Sequence, residues 1–152
     1  MHILFVCTGN TCRSPMAEGQ LRSALAAKGV EQVTVASAGT GAWDGAPVTE
    51  ATYLVGLEQG LDLSEHRARL LTRELVRTAD LILVMSGHHL ARVSELGGES
   101  KVHLLGSYAG REEGQTEISD PYGADISTYR ATFAELQDLI GNVVSRVAGT
   151  KR

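Results

Sequence analysis

Short apolar runs alternate with longer stretches of mixed polarity along this chain. Residues 3–6, Ile3-Leu4-Phe5-Val6, form such a run and read as a buried strand. Residues 33–36 predict a second strand. Residues 81–85, the most continuous apolar run, predict a central strand buried on both faces. A last strand is expected over 102–105. Helical spacing fills the intervals. Pro15 suits the first position of a helix that ends near Lys28-Gly29, a basic residue followed by a C-cap glycine. Thr49 caps a helix reaching about Gln59-Gly60, and Thr72 begins a short one with Glu74 in its first turn. Ser86 caps a helix through about Leu96, closed by Gly97-Gly98. Residues 106–124 read as a long polar loop. A final helix over 127–147 turns Tyr129, Phe133, Leu136, Ile140, Val143, Val144 and Val147 inward, and 148–152 reads as a frayed tail.

Strands alternating with helices imply an α/β fold: a four-stranded parallel sheet with helices on both faces and right-handed crossovers. No linker or internal repeat interrupts the 152 residues, so residues 1–152 read as a single domain. Ligands in such folds bind outside the carboxyl ends of the strands.

Composition narrows the function. Fourteen basic against eighteen acidic residues give a net charge of −4, with no basic patch, which argues against nucleic acid as a partner. No apolar run approaches membrane-spanning length, so no membrane association is expected, and a cytoplasmic location is the default. Cys7 and Cys12 suit a reducing compartment better than a disulfide scaffold. One Cys-x4-Cys supplies two ligands with no second pair, so no metal and no other cofactor is called for. His88 and His89, adjacent on a helix, point to different faces and read as surface residues.

The chemistry concentrates in Cys7-Thr8-Gly9-Asn10-Thr11-Cys12-Arg13-Ser14, between the first strand and the first helix. A curled loop over a helix N-terminus points its amides, and the positive end of the helix dipole, at one spot. Gly9 and Asn10 are residue types that accept the left-handed dihedrals such curling needs. Arg13 offers a planar fork of donors to two phosphate oxygens. Cys7 at the strand end would serve as a thiolate nucleophile, with Ser14 donating a hydrogen bond to its sulfur. The alternative, that Cys7 is a buried strand-end hydrophobe, leaves Gly9, Asn10, Arg13 and Ser14 unexplained.

Cys-x-Gly-Asn-x-Cys-Arg-Ser-Pro resembles the signature of the low-molecular-weight protein phosphatases, the tyrosine and arginine phosphatases of one small flavodoxin-like fold. The resemblance covers essentially the whole chain and implies the strand order 2-1-3-4. It implies that residues 8–13 bind phosphate, and that Ser37 through Trp43 line one wall of the cleft, with Trp43 as an aromatic face for the substrate. A lone tryptophan is otherwise more often core. His-x-Ala-Arg at His66 resembles a segment packed beneath the phosphate loop, so His66 is expected to support that loop at Asn10. Arg67 and Arg69 read as a solvated basic turn. Asp120-Pro121-Tyr122 resembles the general-acid segment, implying that Asp120 protonates the leaving group and that Tyr122 forms a second wall. Cys12 is either a small packing residue or a partner for Cys7 in a reversible, protective disulfide.

Thr11 resembles the arginine-phosphatase branch, where tyrosine-directed members usually carry a larger aliphatic residue, and Gly123 points the same way. Trp43 points to the tyrosine enzymes. Protein phosphoarginine is therefore favoured over phosphotyrosine, with phosphorylated proteins as the partners and a monomer expected. Arsenate reductases of this fold relay oxidation through further cysteines, and none follows Cys12. A phosphocysteine carrier would have no use for an acid at Asp120.

Overall fold

A computed structural model describes residues 1–149. Four strands, β1 (His2–Cys7), β2 (Thr34–Gly39), β3 (Leu81–Val84) and β4 (Val102–Leu104), form one sheet in the order β2-β1-β3-β4. Every pairing is parallel, with Cys7 opposite Gly39 and Val6 opposite Val84. The carboxyl ends of β1, β2 and β3 are therefore level, and the loops that leave them share one edge.

Side chains alternate across the pleat. Ile3, Phe5 and Cys7 face α1 (Arg13–Ala27) and α6 (Ile126–Gly149), and pack with Met16, Leu21, Phe133, Leu136 and Ile140. Leu4, Val6, Ile82 and Val84 face the other way, into a core shared with Val76 of α3 (Arg73–Thr78) and Val93 of α4 (Gly87–Val93). Both faces of β1 and β3 are thus sealed, which is why those strands read as unbroken apolar runs. α2 (Glu50–Glu58) completes the first layer, capped by Thr49, whose hydroxyl accepts from Thr52 N at 3.2 Å.

Several boundaries differ from the sequence reading. α1 begins at Arg13, not at Pro15. The amides of a helix's first turn have no intrahelical partner, so a proline at the third position removes no bond. Ser86 holds the N-cap position of α4 as expected, but its hydroxyl makes no capping bond and contacts His88 and His89 instead. The expected polar loop opens with a short helix, α5 (Leu105–Tyr108), because Leu105 is fully buried and anchors it. α6 continues through Ala148 and Gly149, and the rest of the expected frayed tail, 150–152, lies outside the described residues.

Candidate active site

The loop from Cys7 to Arg13 leaves β1 and reverses into α1. Asn10 makes the reversal in the left-handed region (φ 57°), fully buried. It is tied on all sides: Nδ2 donates to Ser14 Oγ (2.8 Å) and Ser37 Oγ (2.9 Å), and Oδ1 accepts from Arg69 N (3.0 Å). Its carbonyl oxygen lies 2.8 Å from His66 Nε2. Ser37 donates in turn to Glu18 Oε1, which also lies 3.7 Å from His66 Nδ1. Glu18 stands in no recognisable motif and the sequence reading passed it over, whereas Ser37, expected to begin the cleft wall, lies in β2 beneath Asn10 and does not line the cleft. Arg69 corrects that reading as well: rather than a solvated turn residue, it is half-buried, and its Nε donates to Ser37 O at 3.0 Å. Arg67 is exposed.

Inside this frame, Cys7 Sγ and Ser14 Oγ are 2.9 Å apart, both residues buried. Arg13 is also buried. Its Nη1 donates to the Ile118 carbonyl (2.7 Å), and Nη2 lies 3.5 Å from Asp120 Oδ2. Its Nε is buried and has no hydrogen-bond partner among the described residues. Cys12 sits behind the loop, its sulfur 3.6 Å from Tyr129 Oη and 3.8 Å from both Thr11 Oγ1 and Thr49 Oγ1. Burial pushes the Tyr129 phenol up.

A cleft of about 450 Å³ opens over these groups, lined by Cys7, Thr8, Gly9, Thr11, Cys12 and Arg13 at one end. Trp43, Pro47, Asp120 and Tyr122 line the rest. Trp43 is 83% exposed and Tyr122 72% exposed, so both rings stand at the mouth and neither is core. The Trp43 loop is bound to the phosphate loop through Gly41 N to Thr8 O (2.9 Å) and Thr40 N to Cys7 O (2.9 Å). The Asp120 segment is fastened to the end of β3, where Ile118 N donates to Met85 O (2.9 Å). His88 is exposed, whereas His89 is fully buried and its Nε2 lies 2.8 Å from Thr8 Oγ1. The surface reading of His89 is thereby overturned: its ring turns inward beneath the sheet edge. Nothing local in Ser86-Gly87-His88-His89 distinguishes the inward ring from the outward one.

A parallel sheet, a buried cysteine in a loop over a helix N-terminus, a buried arginine and a nearby carboxylate mark this cleft as the candidate active site of a small α/β protein. Residues 2–152 match the family model of the low molecular weight phosphotyrosine protein phosphatases, and the chain belongs to that family. It is 39% identical to a probable low molecular weight protein-tyrosine-phosphatase, EpsP of Ralstonia solanacearum, over 95% of this chain and 94% of that one. It is 35% identical to the protein-arginine-phosphatase of Bacillus subtilis over the whole of both chains. A solved structure of the YwlE arginine phosphatase superposes with a TM-score of 0.91 at 35% identity, covering 97% of this chain and 96% of that chain. That structure is a cysteine-to-serine mutant with a phosphorylated active-site serine. Relatives named for arginine and for tyrosine thus stand side by side. Among the described residues, no helix is long and apolar enough to cross a membrane.

Proposed function

We propose that this protein hydrolyses phosphoarginine side chains of proteins through a cysteinyl-phosphate intermediate. The observation that carries the phosphatase chemistry is Arg13. Two of its nitrogens are held, by Ile118 O and near Asp120, while the buried Nε, without a partner among the described residues, is left for an oxyanion in the cleft. In the first step Cys7 Sγ attacks phosphorus, the P–N bond breaks, and the proton of Asp120 passes to the departing guanidine nitrogen. In the second, water attacks phosphorus, Asp120 takes its proton, and the thiolate leaves. Arg13 and the amides of residues 8–13 stabilise the equatorial oxygens in both steps. Ser14, 2.9 Å from the sulfur, steadies the thiolate each time it is released. The phosphorylated serine in the related YwlE mutant supports a covalent route at this position.

Thr11 supports the guanidinium preference. Its short polar side chain lines the cleft, leaving width for a planar group and a hydroxyl for its N–H donors, where an aliphatic residue would offer neither. The exposed faces of Trp43 and Tyr122 favour the second reading, phosphotyrosine, because an aryl ring stacks between such walls. Turnover of phosphoarginine and phosphotyrosine peptides by the parent and by Thr11→Ile, with Cys7→Ser as control, tests the assignment. The expected result is a parent that prefers phosphoarginine, a preference that Thr11→Ile shifts toward phosphotyrosine on the order of tenfold or more, and an inert Cys7→Ser. A parent that prefers phosphotyrosine, unaffected by Thr11→Ile, overturns the phosphoarginine reading.

A further inference from the structure

The corner between β3 and α4 holds a buried histidine for which the steps above have no use. His89 has no exposed surface. Its Nε2 lies 2.8 Å from Thr8 Oγ1 and its Nδ1 3.0 Å from Ser86 Oγ, which is also 3.0 Å from His88 Nδ1. A line of hydrogen bonds thus runs from the phosphate loop through His89 and Ser86 to the exposed ring of His88. Burial pushes His89 down to about 3, with the charges of His88 and Arg13 acting in the same direction and Asp120 opposing them. The imidazole is therefore neutral at physiological pH, with one donor and one acceptor, and links the two hydroxyls without adding a charge beside Arg13.

The same corner holds the segment that carries Asp120. Ile118 N donates to Met85 O, and Gly87 N donates to Glu117 Oε2 at 2.8 Å. Thr8 belongs to the nucleophile's loop, and Asp120 to the acid's. Residues 85–89 touch both, so their geometry sets the distance between the group that attacks and the group that protonates.

We infer that His89 is a positioning residue: by holding the Thr8 hydroxyl it fixes the first turn of the phosphate loop in register with the strap that delivers Asp120. The inference rests on the phosphatase reading. It differs from a purely packing role in one respect, because the effect on turnover must pass through Thr8. Thr8 is exposed, so Thr8→Val removes the hydroxyl while leaving the core alone.

The test is steady-state hydrolysis of an aryl phosphate by the parent, Thr8→Val, His89→Gln and the double variant, with inorganic phosphate as competitive inhibitor and thermal melts in parallel. Each single variant should lower kcat on the order of tenfold, change KM by less than about threefold, and weaken inhibition by phosphate. The double variant should be no slower than the slower single one, as expected for two residues acting through one contact. Thr8→Val should stay folded, melting a few degrees lower at most because the buried His89 Nε2 loses its partner. Parental kcat in Thr8→Val, or losses that multiply in the double variant, overturns the proposal. If His89→Gln does not fold, Thr8→Val decides alone by the same criterion. A parent that hydrolyses neither an aryl phosphate nor a phosphoarginine peptide overturns the phosphatase reading and this inference with it, whereas a parent active on either and unaffected by Thr8→Val overturns this inference only.

Discussion

Asn10 concentrates most of the loop's demands in one side chain. A left-handed dihedral disfavours any residue with a Cβ, and asparagine tolerates it because its amide can bond locally. Here that amide donates twice and accepts once while fully buried. Asn10→Ala should remove about 3 kcal/mol of stability, from the lost bonds, the stranded partners Ser14 and Ser37, and the dihedral together. Urea denaturation measures it. Asn10→Gly, which relieves the dihedral alone, should recover roughly 1 kcal/mol of the loss. Equal stability in the two variants would show that backbone strain plays no part. Cys7, Asn10, Arg13 and Ser14 could be singled out in the sequence because what marks each is local: a cysteine at a strand end, a turn-tolerant backbone, a donor fork at a helix start. Gly9, expected to share the left-handed turn, lies outside that region. His89 and Glu18 could not, since each owes its place to a residue dozens of positions away.

Among the elements, the meeting of β2 with the phosphate loop leaves the least room. A Cβ on Gly39 would lie 2.4 Å from Thr8 O and 2.9 Å from Asn10 N, and both are backbone atoms with nowhere to move. Gly39→Ala should therefore push the loop off its geometry. The expected outcome is a fall in kcat/KM for an aryl phosphate on the order of a hundredfold and weaker inhibition by phosphate, even in preparations that remain folded by circular dichroism. Unchanged kinetics would mean that the loop is free to shift. Strands and helices were legible because burial on both faces writes unbroken apolar runs, and burial on one side writes a helical stripe, as α6 does. The start of α1 was less so. Proline's tolerance across the first turn leaves its exact position undetermined, and α5 hides in a polar stretch where one buried leucine does the anchoring.

For the molecule as a whole, His89 leaves a signature in the dependence of stability on pH. Its folded value, about 3, lies below the ordinary 6.5, so the unfolded chain takes up a proton between those limits that the folded chain refuses. Stability from this group is complete above about 6.5 and is lost as the pH falls toward about 3. Denaturation of the parent and of His89→Gln across that window should show a slope steeper in the parent by close to one proton, about 1.4 kcal/mol per pH unit. Parallel curves would contradict the neutral, buried state. Periodicity and the Cys7–Pro15 string determined the fold class, the family resemblance and the order of the main elements, since each rests on interactions between near neighbours in the chain. Tertiary structure alone decided which side chains brace the loop: Glu18 and Ser37 beneath Asn10, Ile118 O on Arg13, and His89 on Thr8. Those contacts join separate strands and loops, and a partner brought close only by the closing of the sheet leaves no mark in the spacing of residues.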